Sequence, residues 1–311
     1  MATYLVTGAA GFIGAALAKH LLDEGHTVVT IDNLSTGRKE NIPQGCIAII
    51  GNTHDRSSIE QAEKYAFDAV FHIAGQSGGM TSFDDPVYDL NSNVTSTLLL
   101  LDMCKRTNCK RFVYASSMSV YGDENPCPVV EGSAKQPKTF YAVGKLASEG
   151  YMKMYADNFG IKTTALRFNN TYGPGQNMEN LRQGMVSIFL AQAITNKHVH
   201  VMGAKDRFRD FVFIDDVVSA CVMSAASNEP TLFNVYNIAT NTKTTCEELL
   251  NKMQALLPFK FTVEYQGSTP GDQFGIYCDY SLIENSIGWK PNYTLEEGLK
   301  VMINWALKLE K

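Results

Sequence analysis

The sequence lacks any apolar run approaching the roughly 18 residues that a membrane-crossing helix needs, so no contact with a membrane is expected. It lacks a basic, then apolar, leader. The chain opens directly into Tyr4-Leu5-Val6-Thr7-Gly8, a strand entering a turn, so no signal peptide is expected. There is no CxxC pair. The seven cysteines (Cys46, Cys104, Cys109, Cys127, Cys221, Cys246 and Cys278) are odd in number and scattered, which points to a reduced, cytoplasmic setting. A positive balance is missing too: the net charge is -5, which does not support a nucleic-acid-binding surface. Internal repeats and flexible linkers are absent. What remains is 311 residues of ordinary globular composition, 45% hydrophobic and 19% charged. That length suggests about two domains, with enough core to fold without disulfides or a structural metal.

The first half alternates short apolar strands with helical patterns. Strands are expected at 3–7, 27–31, 46–50, 68–72, 110–115 and 161–167, and helices at 12–24, 55–65, 86–108 and 139–159. That alternation implies right-handed crossovers and a parallel sheet with helices on both faces. Runs such as Ala69-Val70-Phe71-His72-Ile73 are apolar throughout, as strands covered on both faces should be. Asp85 before Pro86 reads as an N-cap with proline at the first helical position, and Asp215 reads as the cap of the helix carrying Val217 and Val218. After about residue 170 the pattern loosens into a smaller lobe, with segment 211–240 crossing back to the first.

Gly8-Ala9-Ala10-Gly11-Phe12-Ile13-Gly14 follows the first strand and opens the first helix. Glycines there permit a tight turn and close approach to a pyrophosphate, while the helix N-terminus offers free N–H groups and a positive dipole end. The spacing is GxxGxxG, and its place in the first strand-to-helix turn is where a dinucleotide belongs. Asp32 ends the second strand. An acid there can bond both ribose hydroxyls and repel a 2′-phosphate, which favours NAD, although Arg38 nearby could soften that preference. These features predict an α/β protein: a Rossmann-type doubly wound parallel sheet with a smaller C-terminal substrate-binding lobe.

Tyr141-Ala142-Val143-Gly144-Lys145 places a tyrosine and a lysine four apart on one helix face. The lysine charge can then stabilise a tyrosinate. Bringing a phenol from a pKa of about 10 to about 7 requires roughly 4 kcal/mol. After the strand at 110–115 comes Ser116-Ser117-Met118-Ser119-Val120-Tyr121-Gly122. A serine at the carboxyl end of a parallel strand points into the ligand crevice.

Taken together, the glycine loop, Asp32, His72-Ile73-Ala74-Gly75, the serine segment, Tyr-x-x-x-Lys, Arg167-Phe168-Asn169-Asn170-Thr171-Tyr172-Gly173-Pro174 and Arg209-Asp210-Phe211-Val212-Phe213-Ile214-Asp215-Asp216 resemble extended short-chain dehydrogenase/reductases. In particular they resemble the NAD-dependent nucleotide-sugar epimerase/dehydratase family typified by UDP-galactose 4-epimerase. The resemblance runs nearly end to end. It implies an NAD-binding domain at 1–168, a nucleotide-sugar lobe at 169–311, and a homodimer through helices 86–108 and 139–159. It implies that Tyr141 takes the sugar 4-hydroxyl proton, that Lys145 binds the nicotinamide ribose and tunes Tyr141, and that Ser117 bonds the sugar O4. Gly8, Gly11, Phe12, Ile13, Asp32, Asn33, Thr36 and Gly37 fall on cofactor positions, with Gly14 and Ser116 beside them. Asn52 and Thr53 match an adenine-contacting pair, Ala74, Gly75 and Gln76 line the cofactor, and Asn93 packs at the nicotinamide side. On the substrate side the resemblance places Gln76 and Met118 near the sugar, Asn170 and Arg209 at the diphosphate, Asn180 and Leu181 at the nucleotide, and Asp272 at its ribose.

Dehydratases of that family carry two acidic residues where this chain has Met118 and Ser119, so dehydration is disfavoured. Reversible oxidation at C4 is expected, and net 4-dehydrogenation with release of a keto sugar is the alternative; the Ser117, Tyr141 and Lys145 set speaks against a non-catalytic dinucleotide-binding regulator. Thr269 stands where the 4-epimerase has an arginine before Pro-Gly-Asp, which leaves the base open among UDP, GDP, CDP and dTDP. His198-Val199-His200 puts two imidazoles on one strand face. With no third ligand evident they read as structural, and no metal is expected.

Overall fold

A computed structural model of the chain describes residues 1–267 and 274–309. Strands β1 (Thr3–Thr7), β2 (Thr27–Asp32), β3 (Ile47–Ile50), β4 (Ala69–His72), β5 (Arg111–Ser117) and β6 (Lys162–Phe168) lie within two residues of the ranges expected from periodicity. They are joined by β11 (Phe233–Ile238) in a seven-stranded parallel sheet of order β11-β6-β5-β4-β1-β2-β3. Beside them run six short strands that form three two-stranded sheets. These are β7 (Asn170–Tyr172) with β10 (Phe211–Phe213), β9 (Phe208–Arg209) with β12 (Thr244–Thr245), and β8 (His198–Met202) with β13 (Thr262–Gln266).

Successive residues of each central strand serve opposite cores. Leu5, Phe112 and Tyr114 face one cluster, while Val6, Val113 and Ala115 face the other. The first cluster is closed by α5 (Ser96–Thr107) and α6 (Phe140–Phe159), through Leu100, Leu101, Met103 and Met152. The second is closed by α1 (Phe12–Asp23) and α8 (Ile214–Ala226), through Leu17, Leu21, Val217 and Cys221, and continues without a break into the elements that follow residue 170. Strands buried on both faces are what the unbroken apolar runs require.

The expected helix 86–108 is one continuous helix with a defect. Helix α4 (Pro86–Leu90) passes into a π-helical turn (Asn91–Thr95) and then into α5. Asp85 caps its start, accepting from the Tyr88 N–H at 2.9 Å. Asp215 differs from expectation. Strand β10 runs directly into α8, so Phe213 is the cap residue and Asp215 lies in the first turn. There its charge still opposes the helix dipole, and its carboxylate accepts from the Tyr293 hydroxyl at 3.2 Å.

Candidate functional site

The strand order reverses direction at β1. The chain fills positions β1, β2 and β3 outward to one side, then returns to place β4 on the other. The crevice at the carboxyl ends of β1 and β4 is where ligands bind in such sheets. Here Thr7 Oγ1 ties the two ends together, accepting from the N–H groups of Ile73 at 3.1 Å and Ala74 at 3.0 Å. The glycine loop crosses this point. Gly8 holds a left-handed φ of +80°, and a methyl group on it would lie 2.9 Å from Ala74 N. A methyl group on Gly14 would lie 2.1 Å from the Gly8 carbonyl oxygen, so only glycine lets α1 start this close to the strand. Gly11 is the cap residue of α1, brings no side-chain acceptor, and is followed by no acid in the first turn. The leading N–H groups of α1 are therefore available to an anion. Phe12 and Ile13 pack against the core below.

Asp32 organises the neighbouring loop. Its carboxylate accepts from Ala10 N and Leu34 N, both at 2.8 Å, and retains further lone pairs. Asn33 donates to Asn52 Oδ1 at 2.8 Å, and Asn52 donates in turn to Asp55 Oδ2 at 2.7 Å. Thr53 is buried beside them, Thr36 is exposed, and Gly37 sits against the Ala10 carbonyl. Arg38 is engaged elsewhere, pairing with Glu179, distant in sequence.

At the other end, Gly75 leaves room that a side chain would fill. A methyl group on it would lie 2.5 Å from Asn93 Oδ1 and 3.4 Å from Lys145 Nζ. Asn93 is fully buried in the π-helical turn, and its Oδ1 has no hydrogen-bond partner within the protein. Its Nδ2 donates to the Gln76 carbonyl at 3.0 Å. A phosphate-ready helix start, a ribose-facing acid and an unpartnered buried amide oxygen at opposite ends of one crevice fit NAD.

Ser117, the last residue of β5, caps the short turn that follows. Its Oγ accepts from Ser119 N at 3.2 Å and from Ser119 Oγ at 2.9 Å. Its hydroxyl also draws the Tyr141 pKa down. Helix α6 starts at the Thr139 cap, so Tyr141 and Lys145 occupy its first turns. The Lys145 Nζ donates to the Ala115 carbonyl at 2.8 Å and lies 5.6 Å from the centre of the Tyr141 ring. The electrostatics differ from the sequence expectation. Burial of the hydroxyl pushes Tyr141 up to about 12, against the pull of Ser117 and with a further push from Asp89. Burial drives Lys145 down to about 7, with Asp89 and Glu149 holding it up. Desolvation disfavours both charges, so the protein's own groups leave a neutral phenol beside a marginally protonated amine.

Ser116 goes elsewhere. Its Oγ donates to Glu149 Oε1 at 2.6 Å, because adjacent strand residues face opposite ways. Glu149 is clamped by Arg167, through Nε at 2.9 Å and Nη2 at 2.6 Å, while Nη1 of Arg167 donates to the Tyr121 hydroxyl at 2.7 Å. This buried network braces β5, β6 and α6 beneath the reactive groups.

Substrate-side residues are less concentrated. Met118 is half-buried beside Ser117, while Gln76 donates to Asp89 Oδ1 and to the Gly78 carbonyl, both at 2.8 Å. Asn170 lies on β7 with a buried Oδ1 that has no hydrogen-bond partner within the protein. Asn180 accepts from Arg182 N at 3.0 Å, and Leu181 is exposed. Arg209 is 3% exposed and donates to the carbonyls of Phe208 at 2.7 Å and Phe274 at 3.2 Å. Asp272 and the Thr269-Pro270-Gly271 segment lie outside the described residues. The loop 176–184 reaches back over the crevice: Arg182 pairs with Asp84 at 3.0 Å and Gln183 donates to Ser77 Oγ at 2.8 Å.

Sequence reasoning missed Asp89 and Glu149, and gave Ser119 no role beyond not being an acid. Each acts through a partner distant in sequence or through a local turn. It also overlooked Glu264, whose Oε2 sits between His198 at 3.6 Å and His200 at 3.7 Å. Among the described residues no group of three such side chains is arranged to hold a metal ion.

A sequence profile of the NAD dependent epimerase/dehydratase family matches residues 4–239. A putative UDP-glucose 4-epimerase of Methanocaldococcus jannaschii is 33% identical over 303 residues, covering 97% of each chain. The crystal structure of a UDP-glucose 4-epimerase from Thermotoga maritima, with UDP-glucose, superposes with a TM-score of 0.95 at 30% identity, covering 99% of this chain and 100% of that one. A UDP-glucose 4-epimerase from Thermus thermophilus in complex with NAD gives 0.89 at 28% identity, covering 97% and 98%. The chain belongs to the NAD-dependent epimerase/dehydratase family, within the extended short-chain dehydrogenase/reductases. It is an NAD-dependent enzyme.

Proposed function

We propose that this enzyme is a nucleotide-sugar 4-epimerase. The observation that carries the reading is the meeting of Ser117, Tyr141 and Lys145 at the end of the crevice opposite the glycine loop. NAD, held by the residues named below, would supply reversible acceptance of the C4 hydride and a positive charge. Ser117 hydrogen-bonds O4 of the sugar. Tyr141 takes the O4 proton as the C4–H bond breaks and the C4 carbonyl forms. Lys145 favours the tyrosinate and holds the nicotinamide ribose. After the 4-keto sugar turns over in the crevice, Tyr141 gives the proton back to O4.

In this reading residues 1–168, with 211–240, form the NAD-binding unit, and the rest of 169–311 forms the nucleotide-sugar lobe. The cofactor rests on Gly8, Gly11, Phe12, Ile13, Gly14, Asp32, Asn33, Thr36, Gly37, Asn52, Thr53, Ala74, Gly75 and Asn93. Gln76, Met118, Asn170, Asn180, Leu181 and Arg209 face the nucleotide sugar. Ser116 serves through Glu149 and the strand below Ser117. The chain acts as a cytoplasmic homodimer. Val87 and Leu90 on α4, with Phe140, Val143 and Met154 on α6, are about half exposed or more on two helices that pack side by side. All seven cysteines are thiols, as a reducing compartment would keep them.

The test is interconversion of C4 epimers by NMR, with a thermal-shift panel of UDP-, GDP-, CDP- and dTDP-sugars choosing the substrate. Epimerisation with no net absorbance change at 340 nm is expected. Stoichiometric release of NADH or of a keto sugar would establish the dehydrogenase instead.

A further inference from the structure

Asp89 stands beside the catalytic pair and takes no part in the chemistry described above. It is 1% exposed, on α4. Its Oδ1 accepts from two neutral amides, Gln76 Nε2 at 2.8 Å and Asn93 Nδ2 at 3.2 Å. Among the described residues no cation lies within ion-pair distance of it. The other buried acids among the described residues are held differently: Glu149 by Arg167, and Asp32, Asp210 and Asp216 by backbone N–H groups, with Thr240 Oγ1 adding to Asp210. A carboxylate buried on amides alone is expensive, and such groups persist where their charge is used. The geometry says where. Gly144 lies against Asp89 Oδ2, the next residue along α6 is Lys145, and Asn93 spans the gap with its Nδ2 on Asp89 and its Oδ1 on the Lys145 side.

We propose that Asp89 is a positioning residue for the reaction: its negative charge keeps Lys145 protonated and sets the pH window in which the Tyr141 phenolate and the Lys145 ammonium coexist. The inference rests on the roles given to those two residues under Proposed function. Burial raises Asp89 itself, while Lys145, Gln76 and Asn93 draw it down; Asp89 in turn is the largest influence raising Lys145 against burial, and it also raises Tyr141. The other groups around the pair leave this role to Asp89. On α6, Glu149 also raises Lys145, but Arg167 neutralises it. On β4, burial and the Lys145 charge hold His72 near 3, so it is neutral, and on β5 burial raises Tyr114, so it is neutral too. Asp84 on the preceding short helix points outward to Arg182.

The test is the Asp89→Asn enzyme, full length and loaded with NAD, assayed for epimerisation from pH 5 to 10. Removing the charge lowers the pKa of both Lys145 and Tyr141, so both limbs of the bell should move toward acid by about one pH unit. The maximum should stay within about threefold, whereas the rate on the alkaline limb should fall about tenfold. Limbs that stay in place, at any height, would overturn the proposal. Gln76→Leu keeps the acid but removes a donor that holds its charge. It should move the bell the same way by less, and it decides the matter if the first variant does not fold. NAD affinity followed by protein fluorescence needs no turnover. It should weaken at high pH, and at lower pH in D89N than in the wild type; coincident curves refute the proposal. A wild type that binds NAD yet fails to epimerise refutes the functional reading and leaves this binding comparison in force.

Discussion

The two ends of the crevice are built by different means. The phosphate end is backbone: a strand end, three glycines and a helix start contributed by one run from Thr7 to Gly14, with Asp32 gripping the loop through Ala10 N. The Tyr141 end, proposed as the catalytic end, is side chains: Asp89, Asn93, Ser117, Tyr141 and Lys145 come from two helices, a π-helical turn and a strand, and each is placed by another side chain or a backbone group. Backbone sites bind through fixed dipoles and tolerate no extra atom. Side-chain sites depend on charge states, and here burial works against both charges the reaction needs. The difference teaches that binding and turnover should be separable by mutation.

The sharpest separation is Tyr141→Phe. Loss of the proton acceptor should cut turnover by about 10²–10⁴-fold, while NAD affinity by fluorescence stays within a few fold. A variant that turned over normally would remove Tyr141 from the chemistry. Next comes the brace under the catalytic end. Glu149→Ala leaves Arg167, 3% exposed, as an unpaired buried charge, a change that costs about 3–5 kcal/mol in urea unfolding. An unchanged unfolding midpoint would show that the network contributes nothing to stability.

At the phosphate end, Gly14→Ala drives a methyl group to 2.1 Å from the Gly8 carbonyl. Overpacking of this kind costs about 1–3 kcal/mol. Here it should appear as at least about tenfold weaker NAD binding, with kcat at saturating NAD nearly unchanged. A fall in kcat with binding intact would merge the two ends that the structure separates.

The smallest effect at neutral pH is expected at His72, which lies between the ends with its ring nitrogens on Thr7 Oγ1 at 2.9 Å and Ser96 Oγ at 3.1 Å. Burial holds its pKa near 3, well below the ordinary value. The unfolded chain therefore takes up a proton between about pH 6.5 and 3 that the folded chain refuses. Stability from this group is complete above pH 6.5 and is lost as pH falls, by up to about 1.4 kcal/mol per unit. His72→Asn should flatten that acid slope in urea titrations. An unaltered slope would assign acid lability to other groups.

Much of this was legible in order along the chain. The first six strands and α1 follow from periodicity, and the Asp85-Pro86 start of α4 from capping chemistry, because those signals lie within one turn or one strand. The motif residues Ser117, Tyr141 and Lys145 were named by spacing and by resemblance. Their neighbours were not: Asp89 matters only because α4 packs on α6, and Glu149 only because it meets Arg167 from β6. Asp215 was misread as a cap because an acid before an apolar helix gives the same local signal at the cap and in the first turn.

By itself the sequence determined the alternation of strand and helix, the glycine loop, the acid at the end of β2, and the spacing of Tyr141 and Lys145. All of these are short-range facts, set by backbone sterics and by the two periodicities of strand and helix. Tertiary structure alone decided that Ser117 faces Tyr141 while Ser116 turns to Glu149, that Arg38 is drawn to Glu179, and that the buried Asp89 carboxylate acts on Lys145. Those choices belong to packing. Burial removes the water that would otherwise screen these charges, and only the folded chain decides which groups share the space that is left.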